Sequence, residues 1–221
     1  MLVAPDPAIV RQLRRCSPLR DADMVCFGMS AAGFTLFDTP VGRCALAWSE
    51  RGVAGVSLPE RSDDHMRARM RRRIPHAEEG LPPAAIAPAV AAIVAHLHGE
   101  ARDLNGIELD IAGVPEFHCR VYAVARTIAR GETLTYGDIA KRLGEAKAAR
   151  DVGQALGQNP FPIVVPCHRV VASGGKLGGF SAYGSVDTKL RLLALEGWKP
   201  DAPTLFDIGL QSPPPAGAQR G

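Results

Sequence analysis

Apolar and polar positions change their period partway along the chain. Between residues 24 and 58 they run in short extended segments, at 25–27, 34–37, 44–48 and 53–58. Asp38-Thr39-Pro40 and Glu50-Arg51-Gly52 supply turn chemistry between them. The pattern predicts a small antiparallel meander. Residues 62–73 read as a helix in which Arg67, Arg69, Arg71, Arg72 and Arg73 form a solvated face rather than a phosphate contact. Residues 84–98 read as an alanine-rich helix stopped by Gly99. The alternation at 107–111 predicts a further strand, and Ala112-Gly113-Val114-Pro115 reads as a linker that places a domain boundary after residue 114.

Beyond that linker the period is helical. Phe117, Val121, Val124, Ala125 and Ile128 make one stripe over 116–129, which Gly131 ends. Thr135 is placed to cap a short helix through Leu143, and Gly144 closes it. A second helix spans 148–158, with Ala149, Val152, Ala155 and Leu156 on its inner face. Two short helices joined through a glycine-containing turn are a helix-turn-helix signature, and the basic start of the second, from Lys147 to Arg150, suits a DNA groove. Asn159-Pro160-Phe161-Pro162 ends that helix. A buried strand at 163–165, a resumption at 170–172, a hairpin-type turn at 173–176 and a Gly/Ser-rich loop at 178–185 follow. Asp187 is placed to cap a last helix that points Leu190, Leu193 and Leu195 inward. The proline-rich stretch 199–221 reads as a disordered tail. The expected fold class is α+β: a sheet-and-helix domain over 1–114, then a mostly helical domain over 115–198.

Composition narrows the partners. The 221 residues are 46% hydrophobic and 22% charged, which suits a globular chain. No apolar run reaches membrane-spanning length and no secretion signal opens the chain, so the cytoplasm is the expected compartment and a membrane is not an expected partner. The five cysteines, Cys16, Cys26, Cys44, Cys119 and Cys167, are odd in number and irregularly spaced, which argues for a reducing compartment over a disulfide framework. There is no CxxC pair, and a metal held by Cys16, Cys26 and His65 or His76 is weighed and set aside; no metal or cofactor is expected. The net charge of +3 is small, but residues 115–198 carry 11 Lys/Arg against 7 Asp/Glu, so the basic excess lies in the later segment.

The candidate chemistry sits at Cys167. It lies between two β-branched runs and precedes His168 and Arg169. A reactive cysteine needs a base or nearby positive charge to become thiolate. Surroundings alone favour a packed, inert thiol. The run Pro166-Cys167-His168-Arg169-Val170, however, resembles the active-site motif of the O6-alkylguanine-DNA alkyltransferases. Phe117, Val121, Gly131-Glu132, Thr135-Tyr136, Ile139-Ala140, Ala148-Ala149-Arg150, Val152-Gly153, Asn159-Pro160, Pro162-Ile163, Gly175, Gly178, Lys189, Leu192-Leu193 and Glu196 fall in the same order. The resemblance covers about 115–198, whereas the first 114 residues match only in general character.

The resemblance implies roles and a reaction. Cys167 would be the nucleophile, with His168, through a water, and Glu196 as the relay that takes its proton. Asn159 would tie the recognition helix to the cysteine loop. Tyr136 would donate to the leaving guanine and crowd the neighbouring phosphate, and Arg150 would enter the base stack in place of a flipped nucleotide. Val170, through its carbonyl, Ser181, through its N–H, and Lys189 complete the implied base- and DNA-binding set. The implied partner is double-stranded DNA carrying O6-alkylguanine, with O4-alkylthymine as a further lesion, handled by a monomer that acts once. A lesion-binding protein without transfer is the alternative, and it would lack the cysteine. Between Phe180 and Lys189 the chain is about two residues longer than the family pattern, which bears on the lid over the base.

Overall fold

The computed structural model describes residues 32–175, 177–179 and 184–199. The expected strand at 25–27, Cys16, Cys26, Ser181, most of the lengthened loop and all but the first residue of the tail lie outside these residues.

The first half folds as predicted around a sheet. Strands β1 (Gly33–Phe37), β2 (Cys44–Ser49) and β3 (Gly52–Ser57) form the antiparallel meander, and β4 (Glu78–Glu79) adds a parallel edge beside β1, giving the order β3-β2-β1-β4. The period-two rule sorts the β2 side chains. Cys44, Leu46 and Trp48 join the main core, while Ala45 and Ala47 pack with Phe34 against Met66 and Met70. Those methionines come from helix α1 (Asp63–Arg73), which Ser62 caps by accepting from the His65 N–H at 3.3 Å. Its arginines are mostly engaged within the fold: Arg67 with Glu79 and Asp64, Arg69 with Glu60, and Arg73 on the Ala54 carbonyl. Both faces of the sheet are therefore covered.

Helix α2 (Ala87–Leu97) buries Ala89, Ile93, His96 and Leu97, and Gly99 follows it at φ 92°, a left-handed conformation suited to glycine. The expected strand at 107–111 reduces to one parallel bridge, Val53 to Leu109. The Val53 N–H donates to Glu108 and the Asp110 N–H to Val53.

In the second half, helix α3 (Glu116–Ala125) is buried over most of its length. A short strand β5 (Leu134–Thr135) leads into helix α4 (Tyr136–Arg142). Thr135 and Asp138 form a reciprocal capping box at that junction. Helix α5 (Ala149–Gly157) completes the helix-turn-helix, and the Tyr122 hydroxyl of α3 donates to the Ala155 carbonyl at 2.9 Å.

Three local expectations need correction. Residues 163–165 are not a strand, because Ile163 takes φ 76° and the chain folds back so that the Val165 N–H meets the Phe161 carbonyl at 2.8 Å. Ser173–Gly175, expected in a hairpin-type turn, form a 3-10 turn with Gly174 at φ 72°. Strand β6 (Val170–Val171) pairs in parallel with β5, and among the described residues no later strand pairs with it to close a hairpin. The last helix, α6 (Ser185–Leu195), starts before Asp187; Gly184 at φ 83° occupies the cap and accepts the Asp187 N–H.

One hydrophobic core runs from Val41 through Val56, Ile93 and Val121 to Leu192, crossing the expected boundary at 114. Arginines reinforce the join, Arg126 from a buried position. Arg126 donates to the carbonyls of Leu104, Asn105 and Ile107; Arg130 to those of Glu100 and Leu195; Arg191 to that of Pro40. Arg126 thereby satisfies loop carbonyls that burial would otherwise leave costly.

Candidate functional site: a buried cysteine behind a helix-turn-helix

Cys167 opens a 3-10 turn, Cys167–Arg169, held between the fold-back at 161–165 and strand β6. It is 8% exposed. Its N–H donates to the Val165 carbonyl at 2.8 Å. Asn159, just past α5, anchors the same place from the other side. Its Nδ2 donates to the Val165 carbonyl at 2.9 Å and its Oδ1 accepts the Phe161 N–H at 2.9 Å. One amide side chain thus ties the end of the second helix-turn-helix helix to the residues that present the sulfur.

Burial raises the Cys167 pKa, and the opposing effects of Asn159, the Lys189 charge and backbone N–H groups do not overcome it. The resting group is a thiol, so a base must remove its proton.

A histidine paired with a carboxylate follows Cys167 in the chain. His168 is 1% exposed, and its Nε2 lies 3.0 Å from Oε1 of Glu196. Burial favours the neutral ring and lowers its pKa, against the raising effect of Glu196. At Glu196, burial would raise the carboxyl, but hydrogen bonds from His168, His96 and Arg169 hold it far below the usual carboxylate range. An ionised carboxylate only accepts, so Nε2 of His168 carries the hydrogen. The Nδ1 lone pair is then left to take a proton, and that atom is buried without a hydrogen-bond partner among the described residues.

Arg169 completes the charge pairing. Its Nε donates to Oε2 of Glu196 and its Nη2 to Oε1, both at 2.7 Å, while Nη1 reaches the Ile128 carbonyl at 2.6 Å. This two-pronged pair is the geometry that makes a buried ion pair tolerable. Helix α2 supplies a further partner, His96, whose Nε2 lies 2.9 Å from the same Oε1.

Tyr136, the first residue of α4, is half-buried beneath the loop after β6. Burial, and next the negative charge of a Cys167 thiolate, raise its pKa and keep the phenol a proton donor. Gly178 sits against it at φ 69°, where an added Cβ would stand 3.2 Å from the phenolic oxygen.

Lys189 departs from the expectation of a DNA- or base-binding side chain. It is fully buried, and its Nζ donates to the carbonyls of Val170 and Leu177, each at 2.6 Å. Burial brings its pKa down to about 8. Its contacts make it a brace between α6 and the cysteine loop. The Val170 carbonyl, expected to read the base, is that brace's acceptor here. Arg150 lies exposed near the start of α5.

The structure therefore gathers Cys167, His168, Glu196 and Asn159 in one interior, sets Tyr136 at its edge and leaves Arg150 on the helix-turn-helix surface. Sequence reasoning missed His96. The signal was a histidine continuing the apolar spacing of Ala89 and Ile93 on α2.

A helix-turn-helix tied through Asn159 to a buried cysteine, with a histidine–glutamate pair next to it in the chain, is the arrangement of a DNA-binding protein. Comparisons with known proteins agree. Residues 116–198 match the family model of the 6-O-methylguanine DNA methyltransferase DNA-binding domain. The methylated-DNA–protein-cysteine methyltransferase of Mycolicibacterium paratuberculosis is 39% identical over 171 residues, covering 77% of this chain and 96% of that protein. The crystal structure of the Mycobacterium tuberculosis O6-methylguanine methyltransferase superposes with a TM-score of 0.62 at 35% identity, covering 80% of this chain and 100% of that one. The structure of the M. tuberculosis protein in complex with DNA gives 0.59 at 34% identity, covering 75% and 93%. The chain belongs to the methylated-DNA–protein-cysteine methyltransferase family.

Proposed function

We propose that this protein repairs double-stranded DNA by moving the alkyl group of O6-alkylguanine onto the sulfur of Cys167, once per molecule. The observation that carries this reading is the buried Cys167–His168–Glu196 array, joined through Asn159 to a helix-turn-helix.

The helix-turn-helix lies on the duplex, and Arg150 fills the space of the extruded nucleotide. Nδ1 of His168 receives the thiol proton, by way of a water, and the imidazolium that forms faces the Glu196 carboxylate. The thiolate attacks the alkyl carbon, forming the S–C bond as the C–O6 bond breaks. The electron pair leaves with O6, and the guanine is neutralised by a proton from Tyr136. The thioether is not cleaved by water, so the sulfur is not regenerated. No redox partner or cofactor enters this balance, and the protein acts as a monomer.

Incubation with a duplex containing one O6-methylguanine, followed by mass spectrometry, tests the proposal. We expect one methyl group on the Cys167 peptide and saturation at one equivalent. A protein that binds the duplex and carries no adduct would be a lesion binder, and one that turns over repeatedly would be a hydrolase; either outcome sinks the reading.

A further inference from the structure

The proposed reaction uses one imidazole, yet the carboxylate at its end holds two. Oε1 of Glu196 receives Nε2 of His168 at 3.0 Å, Nε2 of His96 at 2.9 Å and Nη2 of Arg169 at 2.7 Å, while Oε2 receives, among the described residues, only Nε of Arg169. His96 is 4% exposed and comes from α2, 100 residues away from Glu196 in sequence. A buried histidine on an apolar helix face could satisfy itself in many ways. This one spends its Nε2 on the oxygen that orients the relay.

We propose that His96 is a positioning residue for the transfer reaction: it donates to Glu196 and moderates how strongly that carboxylate pulls on His168. The inference rests on the proposed function of the same site.

A carboxylate oxygen offers about two lone-pair directions, and three donors share Oε1. Each added donor withdraws charge from that oxygen and weakens the others. The groups facing Glu196 are His96 from α2 and His168 and Arg169 from the cysteine turn. Arg130 sits on the adjacent Leu195 carbonyl, and Cys167 lies beside His168. Of these, His96 shares Oε1 with His168, comes from a separate helix and is not used by the proposed reaction. Without it, Glu196 would bind His168 more tightly and make that ring more basic. A more basic His168 takes up a proton from solvent at higher pH, and in that form it cannot accept the thiol proton.

The experiment compares wild type with His96→Leu, which removes the donor, and His96→Gln, which retains an N–H near the Nε2 position. Single-turnover transfer from an O6-methylguanine duplex is followed from pH 5 to 9. We expect the acid limb of the rate profile to move up by about 0.5–1 pH unit in His96→Leu, and to stay at the wild-type position in His96→Gln. Coincident profiles for wild type and His96→Leu, or an equal shift in both variants, would overturn the proposal. A residue that only fills space would lower stability without moving the limb.

A second measurement needs no variant and no DNA. Histidine ring ¹⁵N spectra of the wild-type protein should show both His96 and His168 protonated at Nε2. A hydrogen on Nδ1 of neutral His96 would refute the donor role even if His96→Leu does not fold. If the wild-type protein transfers no methyl group, the proposed function fails; if it transfers and these signatures are missing, only the role of His96 fails.

Discussion

Replacing Arg169 with methionine would leave a carboxylate in the interior without its cation. The Glu196 side chain is 2% exposed and that of Arg169 10%. The substitution removes both donations from the guanidinium to Glu196 and the one to the Ile128 carbonyl. Breaking one side of a buried pair costs about 3–5 kcal/mol, because the remaining charge keeps its desolvation penalty. At about 2–4 °C per kcal/mol for a chain of this size, the melting temperature should fall by about 6–20 °C. Urea denaturation at pH 7 measures the free energy directly.

The pH dependence supplies a second handle on the same variant. The folded-state pKa of Glu196 lies far below its unfolded value, ordinarily near about 4.3. Its stabilising contribution is therefore fully present above that pH and is lost as pH falls toward the folded-state value. In Arg169→Met, burial dominates and the carboxyl protonates more readily. The stability gap between wild type and variant should narrow between pH 7 and pH 3. A gap below about 1 kcal/mol at pH 7, or one that does not narrow in acid, would refute the account of Glu196 as a buried charge compensated by Arg169.

Other substitutions separate bracing from chemistry. Asn159→Ala removes an amide that satisfies a buried carbonyl and a buried N–H. It should cost about 1–3 kcal/mol in urea denaturation and slow methyl transfer in a single-turnover assay. Gly178→Ala adds a Cβ 3.2 Å from the Tyr136 hydroxyl at φ 69° and should slow transfer while leaving duplex binding intact, measured by stopped flow and by anisotropy. Arg150→Ala should leave stability within about 0.5 kcal/mol, since the side chain is exposed, and should weaken duplex binding in a gel-shift titration. Lys189→Met should lower the melting temperature and the transfer rate together, because the brace under Val170 and Leu177 is lost.

Much of this architecture was legible in the sequence because local chemistry and tertiary packing agree. The alternation in β2, the Ser62 and Thr135 caps and the glycines at 99 and 144 each point to the state that packing adopts. Around Cys167 they do not agree. Ile163-Val164-Val165 is a β-branched run with every local mark of a strand, but the packing at Asn159 bends it through a positive φ at Ile163. Lys189 follows the family order yet carries no local sign of burial, and only the two carbonyls it meets explain its place. His96 was hidden for another reason: its partner lies 100 positions away, and no pattern along a helix reports that.

The carboxylate of Glu196 also bears on the order of folding. It joins α2, the turn after Pro166 and the end of α6, so the proposed relay needs the turn and the last helix to have met, and the contact of His96 needs α2 as well. Contacts between segments so far apart in sequence must meet a loop-closure cost before they form. In a partly folded chain Cys167 is an ordinary thiol, without its relay or its base. Recovery of stoichiometric alkyl uptake after dilution from denaturant should therefore track the slowest folding phase rather than the collapse of the sheet, making the sulfur a probe of when the last helix docks.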